Sequence, residues 1–554
     1  MRSSTFIGVN RIPEWLPDKT YVVLDVELFG AERHRLHRPT GEFACMSWAT
    51  EDQHGIITSE NIVGLMMGVF KNCVLVMHNA QFDLQHIRRW ANVQPQPIWC
   101  TMIMERILYS GYYDSFALKD LVRRYLDTYM DKEVRDQFKS ATELTDELIE
   151  YSIRDAVFTY QVFEKQAEKV KENRWAFKIW KQIDMPSVWA YLDFQGFRLD
   201  VDKWVEIAKE NERIAEELKE SFDFNPASPK QVKENLRELG FNALPSTGVK
   251  VLEKYIKKSP NSKAAEVASD VLNYRKVAKL ANTYGMNFIE KYLEDEHGSK
   301  VIHCNMSVTG ASSGRSSSSN PNMQNIPVRD NPVFREPWIA RPYHKLLIAD
   351  YSSQEPRITA QLTGDEHLIE IFRSGKDPYI EIAKRVHRLE ITKDDPIRQD
   401  IKTDILAAIY GQRPHDKESE ERLWRFNEYF YRIRQWCDAQ QANKQYAESV
   451  MGRRLWVNPY SSQYYTNNLN HPHQSTAADM MKMAIVKMHQ GWKFNCSFGV
   501  VIPVHDEVIL DVPEKYAEEI AEFVEDCMVS VAENMCPTVP FVAEVHICDS
   551  WSEK

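Results

Sequence analysis

The run YVVLDVELF (residues 21–29) sets two acids, Asp25 and Glu27, inside an otherwise apolar stretch. Val and Leu at this density, bounded by polar turns, predict a short buried strand. Side chains two apart on a strand project from one face, so both carboxylates point the same way. Acids gathered on a buried face repel one another and need protons or a cation to persist. The chain must therefore build a sheet around a charged spot and supply something to neutralise it. CVLVMH (73–78) predicts a second buried strand, and helical patterns follow over 81–90 and 144–172. Strands first and helices after predict an α/β unit ending near Arg174.

Other acids belong with the first two. HNAQFDLQHI places Asp83 at the start of a helix just past a strand end, and Tyr151 and Asp155 lie four apart on one helical face. A D-x-E or a Y-x-x-x-D alone is common surface chemistry. As an ordered set, four acids and a tyrosine can converge at one end of a sheet. Ligation by oxygen alone suits Mg²⁺ or Mn²⁺. Two such ions would activate a water and stabilise a leaving oxygen in phosphodiester hydrolysis.

A second group lies toward the C-terminus. KLLIADY (345–351) predicts a strand ending at Asp350, and FGVVIPVHDEVILDV (498–512) predicts a hairpin with Asp506 at its tip between His505 and Glu507. Either acid alone is more often a turn residue; paired, they can hold two Mg²⁺ for in-line nucleotidyl transfer. Residues 397–411 predict a helix, with Asp394 or Asp395 as N-cap and Pro396 just inside its start. Arg398, Lys402, Leu406 and Tyr410 fall on one stripe of it. Two cations about 6 Å apart along a helix match successive phosphates of a triphosphate. An apolar patch and an aromatic ring follow, suited to a base.

At 554 residues the chain is too long for one core, and three or four packed units are expected. Residues 176–292 read as mostly helical, broken at FNPASPK (224–230) and LPSTG (244–248); 476–490 also reads as helix. By composition the Ser/Asn/Pro/Gly-rich stretch at 305–333 reads as a linker. No repeats are present. Net charge is −11, against the basic footprint of a nucleic-acid binder, but net charge does not say what lines a cleft. No apolar run reaches the eighteen residues expected of a membrane span, and residues 1–20 lack a secretory apolar core and carry Glu14 and Asp18. Nine cysteines without a C-x-x-C pair indicate neither a zinc ribbon nor a disulfide framework, and reduced thiols in a cytoplasm are expected.

With these motifs in hand, the N-terminal set resembles the DEDD exonucleases, in the variant whose third motif carries tyrosine. The chain from residue 20 onward resembles family A DNA polymerases, the family of bacterial DNA polymerase I. DYSSQEPR (350–357), Arg398 through Tyr410-Gly411, and VHDE (504–507) match the three polymerase motifs in order. SGRSSSSNPNMQNIP (313–327) matches the stretch before the first motif and speaks against a linker there. MGRR (451–454) and NHPHQSTAADMMK (470–482) match further palm segments, and SPKQV (228–232) and YRKVAKL (274–280) match the thumb.

The resemblance implies an α/β multidomain protein: an RNase H-like exonuclease followed by a right-hand polymerase. Expected boundaries are 1–175 exonuclease, 176–300 thumb and connecting helices, 301–365 first part of the palm, 366–437 fingers and 438–554 second part of the palm. It implies that Asp25, Glu27, Asp83 and Asp155 hold two metals while Tyr151 orients the attacking water. Asp350 and Asp506, helped by the Tyr351 carbonyl and flanked by Glu507, would hold two Mg²⁺, with Mn²⁺ able to replace them. Arg398, Lys402 and Tyr379 would meet the triphosphate, Tyr410 would stack at the templating position, and Glu355, with Gln354 beside it, would exclude a 2′-hydroxyl. Arg315, Asn470 and Gln474 would read the minor groove, and His505 would place the primer end.

There are departures from the family pattern. Leu406 stands where an aromatic is usual, which bears on sugar discrimination and dideoxynucleotide acceptance. Tyr379 replaces a histidine, Ser353 a glutamine and Ser475 a glycine, and the segment from Gly411 to Tyr429 is short, implying trimmed fingers. No 5′-nuclease is expected, an arrangement similar to phage-type replicative enzymes acting in the cytoplasm of a bacterial host. Implied partners are primer-template DNA and dNTPs, with a helicase, primase or processivity factor as a further partner class; a monomer is expected. Two other readings compete: a nuclease with a non-catalytic DNA-binding C-terminal region, and a single-subunit RNA polymerase. A dNTP-incorporation assay separates the first, and equal use of rNTPs would favour the second.

Overall fold

The computed structural model describes residues 5–10, 18–30, 41–131, 133–328, 331–410, 417–442 and 444–554. Gly411, Glu14 and part of the short 411–429 segment lie outside the described residues. The chain packs as two compact units, one of Met1–Gln195, Cys304–Gln324 and Leu347–Ile547, the other of Gly196–His303, Asn325–Leu346 and Cys548–Lys554.

The first unit contains a six-stranded sheet in the order Thr5–Val9, Gln53–Ile57, Glu42–Ala49, Tyr21–Phe29, Val74–Met77, Ile98–Cys100. Tyr21–Phe29 runs antiparallel to Glu42–Ala49 and parallel to Val74–Met77, with Asp25 opposite Ser47 and Glu27 opposite Cys45. Val22, Val23 and Leu24 are fully buried, as a strand covered on both faces requires. The expected helices run over Ala80–Trp90 and Asp146–Glu172. Thr145 caps the second, accepting from the Leu148 N–H at 3.3 Å. Its buried face includes Leu148, Tyr151, Ser152, Asp155 and Thr159. Ser152 lies 3.4 Å from the Cys45 thiol, which docks this helix at the strand position opposite Glu27.

A second sheet has the order Val500–Val504, Glu507–Pro513, His344–Tyr351, Ala543–Cys548. The hairpin turns through His505 and Asp506, with Val504 paired to Glu507 and His505 at φ 60°; two-residue hairpin turns demand such positive φ. The helix expected at 476–490 runs from Tyr464 to Gly491 with Pro472 inside it. The stripe-bearing helix is Ile397–Tyr410, its Ile401, Ile405 and Ile409 packed into a core with Phe426 and Phe430. Asp395 rather than Asp394 caps it, accepting from the Ile397 N–H at 3.1 Å, and Pro396 precedes the first helical residue.

Residues 305–328 are not a linker. Asn305–Ser307 pairs antiparallel with Ser317–Ser319, and Asn305, Thr309 and Ser318 are buried. The polar composition is consumed internally. Ser318 Oγ donates to Asn322 at 3.0 Å and accepts from the Gln324 N–H at 3.1 Å, while Gln324 Nε2 donates to the Pro503 carbonyl at 2.8 Å.

The second unit is mainly helical: Val201–Glu220, Pro229–Glu238, Val249–Lys258, Lys263–Tyr284 and Met286–Tyr292. The break at 244–248 is non-helical, whereas the one at 224–230 is non-helical only to Ser228, which caps the helix that Pro229 opens. Trp204 stacks on Phe288 at 4.7 Å within an aromatic core that includes Trp338 and Phe334. None of the nine cysteines is paired, and no described helix is long and apolar enough to cross a membrane.

Candidate active sites

The strand, the Ala80–Trp90 helix and the Asp146–Glu172 helix bring the five N-terminal residues together. Ligand oxygens of Asp25, Glu27 and Asp155 all lie within 4.8 Å of one another. Asp83 sits in the first turn of its helix, behind Asn79 in a left-handed conformation, and its Oδ1 accepts from the Val26 N–H at 3.2 Å. That bond pins it beside the strand residue lying between Asp25 and Glu27. Burial, then the Asp25 charge, pushes the Asp83 carboxyl well above the usual range, and its Oδ2 is buried with no hydrogen-bond partner among the described residues. Burial, with Asp155 next, likewise raises the Tyr151 phenol. A buried, all-carboxylate oxygen set with an unsatisfied oxygen fits a hard divalent cation.

These acids line a cleft of about 630 Å³ with Arg135, His78, Ser307 and Asn320. One wall is therefore the Asn305–Ser307/Ser317–Ser319 hairpin. It is clamped by Gln81, whose Nε2 donates to the Met306 carbonyl at 2.9 Å while its Oε1 accepts from the Val308 N–H at 3.1 Å. Arg106 adds a bond to the Thr309 carbonyl at 2.6 Å. Sequence reasoning missed Arg135. It sits in a five-residue helix, Glu133–Gln137, too short for a periodic pattern to single it out.

In the second group, Asp350 is the penultimate residue of its strand and Asp506 lies in the hairpin turn. The Tyr351 N–H donates to the Asp506 carbonyl at 3.3 Å, so the two segments meet at these positions. Tyr351 is buried, its hydroxyl donating to the Met528 carbonyl at 3.0 Å, and Glu507 is buried while His505 and Asp506 are exposed.

On the neighbouring helix Arg398 Nη2 donates to Asp377 at 2.7 Å, and the Arg398 and Lys402 charges lie 5.1 and 5.7 Å from the Tyr379 ring centre. Asp377 is held by accepting from the Tyr379 and Ile380 N–H groups. Tyr379 is buried; burial raises its pKa while a Ser353 contact lowers it, which brings two of the departures together. Leu406 is half-buried on the same stripe. Tyr410 is raised by burial and then by the Glu355 charge, with Arg315 and Gln474 also acting on it, so these four side chains cluster. Gln354 is turned inward, 3.5 Å from the Met480 sulfur. Asn470 and Gln474 are the partly exposed positions in an otherwise buried stretch of the long helix.

A family model described as DNA polymerase family A matches residues 201–553, and one described as 3′-5′ exonuclease matches residues 16–171. The thermostable DNA polymerase I of Thermus filiformis is 31% identical over 450 residues, covering 74% of this chain and 52% of that protein. DNA polymerase I of Aquifex aeolicus is 25% identical over 520 residues, covering 86% and 88%. The chain spans about half the length of the Thermus and Chloroflexus relatives it matches. The polymerase domain of Pol1 from M. smegmatis, solved with a DNA primer-template and dNTP, superposes with a TM-score of 0.79 at 20% identity over 96% of both chains. The chain belongs to DNA polymerase family A and carries a 3′-5′ exonuclease domain ahead of its polymerase region.

Proposed function

We propose that this chain copies DNA by template-directed nucleotidyl transfer and removes misincorporated nucleotides by 3′→5′ hydrolysis, in the service of DNA replication. The observation that carries the reading is the bond between the Tyr351 N–H and the Asp506 carbonyl, which draws Asp350 and Asp506 together. Two Mg²⁺ ions bound there would supply a Lewis acid for the primer 3′-hydroxyl and a clamp for the triphosphate. Asp350 and Asp506 hold that pair. Arg398 and Lys402 grip the triphosphate once Arg398 exchanges the Asp377 carboxylate for phosphate oxygens. Tyr410 stacks at the templating base, Glu355 blocks a 2′-hydroxyl, and Arg315, Asn470 and Gln474 read the minor groove. In the N-terminal cleft Asp25, Glu27, Asp83 and Asp155 hold a second metal pair, and Tyr151 orients the water.

Primer extension on a primed single strand, with and without dNTPs, tests this. Asp506→Ala should abolish extension yet leave 3′-end degradation, whereas Asp25→Ala with Glu27→Ala should do the reverse. Unimpaired extension by Asp506→Ala refutes the polymerase assignment; unchanged mismatch removal by the double variant refutes the exonuclease one.

A further inference from the structure

The carboxylate cleft contains a cation that the proposed chemistry has not yet used. Arg135 lines the same cleft as Asp25, Glu27, Asp83 and Asp155. Its place is fixed by its neighbours. Phe138, three residues on, is buried with its ring 6.4 Å from Tyr151 and 6.1 Å from Phe29. The Phe138 carbonyl accepts from the Gly30 N–H at 3.1 Å, and the Phe138 N–H donates to the Arg135 carbonyl at 3.3 Å. The short helix is thus tied both to the end of the acid-bearing strand and to the tyrosine of the cluster. Arg135 Nε is buried with no hydrogen-bond partner among the described residues. Burial opposes the guanidinium charge, yet Glu27, Tyr151, Asp25 and Asp155 outweigh it and hold the group charged.

A guanidinium with an unspent donor, anchored over a cluster of acids, is poorly explained as a surface charge. We propose that Arg135 is a further catalytic residue of the hydrolytic site, one that donates to the non-bridging oxygens of the scissile phosphate. The inference rests on the exonuclease reading. In the reaction the water oxygen bonds to phosphorus as the P–O3′ bond breaks. The water's proton passes to a carboxylate of the cluster, and the departing 3′-oxygen takes up a proton from solvent. The products are a nucleoside 5′-monophosphate and a strand one residue shorter. Negative charge grows on the non-bridging oxygens at the crowded stage, and a planar fork of donors matches them better than a point charge.

The test compares Arg135→Ala and Arg135→Lys with the parent on a single-stranded oligonucleotide at saturating Mg²⁺, together with Mn²⁺ affinity measured by electron paramagnetic resonance. Loss of one preorganised donor predicts a fall in kcat of about 10²-fold for Arg135→Ala. Partial recovery is expected in Arg135→Lys, with Mn²⁺ affinity unchanged there because the charge is kept, and unchanged or tighter in Arg135→Ala because a competing cation is removed. Extension of a matched primer reports that each variant is folded. A parent that leaves 3′ ends intact would defeat the exonuclease reading itself. A parent that degrades them while Arg135→Ala stays within twofold would overturn this inference alone, as would an activity loss that tracks weakened Mn²⁺ binding.

Discussion

Removing the carboxylate of Asp184 should be among the most damaging single changes available in the first unit. Asp184 ends a π-helical turn over Trp180–Asp184 and is fully buried. It accepts from Arg453 Nη1 at 2.9 Å, Arg453 Nη2 at 3.0 Å and Lys482 Nζ at 2.5 Å, while Arg453 Nε donates to Asp479 at 2.8 Å. All four side chains are at most 4% exposed, and their formal charges cancel. Burial pushes the Asp479 carboxyl up and the Lys482 ammonium down, while Asp184 and Arg453 favour their charged forms. Burial raises the Asp184 carboxyl, but the Arg453 and Lys482 charges outweigh it and leave it below its ordinary 3.8. Its contribution is therefore present above that value and lost only as pH falls through the lower, folded one. Asp184→Ala leaves one uncompensated positive charge in the core, costing about 3–5 kcal/mol. At 1.4 kcal/mol per decade, that is roughly two to three and a half decades in the folding equilibrium. Urea unfolding followed by tryptophan fluorescence should show the loss at pH 7, nearly as large for Asp184→Asn. Replacing all four residues by apolar ones of similar volume should recover most of it. A loss under about 1 kcal/mol, or a fourfold variant as weak as the single one, would refute the charge argument.

Two further outcomes follow from the sites. The raised Asp83 carboxyl keeps a proton in the folded state at pH values where the unfolded chain, near 3.8, has lost it. Its stabilising effect is complete below the unfolded value and lost as pH rises through the folded one. Asp83→Asn should therefore raise the metal-free Tm at pH 8 and flatten its pH slope; a lower Tm in chelator at pH 8 contradicts this. Leu406→Tyr should raise dideoxynucleotide incorporation relative to deoxynucleotides by about tenfold, one hydrogen bond's worth, because the phenol hydroxyl can replace the missing sugar contact. An unchanged dNTP/ddNTP ratio from competitive gel extension would contradict it.

The parts of the fold legible in the sequence are those where pattern and burial coincide. Tyr21–Phe29 is a strand end to end because both its faces are covered, so its apolar density survives in the letters. The hairpin around His505 and Asp506 was readable for the same reason. The N-terminal half of the Tyr464–Gly491 helix was not, because Pro472 interrupts the pattern. Local bonds sustain that half: Asn468 Nδ2 donates to the Tyr464 carbonyl at 3.0 Å and Thr476 to the Pro472 carbonyl at 2.6 Å. The 305–328 segment misled by composition, since buried Ser and Asn that bond one another look like solvated linker residues. Arg135 left no trace, because its placement depends on Phe138 packing against Tyr151, which is a tertiary contact.

That Ser-rich segment also constrains how the protein can vary. Its strands wall the carboxylate cleft, and Arg315, within the same segment, acts on Tyr410. Gly310 lies so close to Ser317 that an added methyl would sit 1.7 Å from its hydroxyl, and Gly314 adopts φ +82° against Arg453. A substitution at either glycine must displace what it meets, Ser317 at the first and the Arg453 side chain at the second. On the proposed function, a displacement of this segment would reach both the carboxylate cleft and the Tyr410 cluster, so a single variant would change copying and excision together.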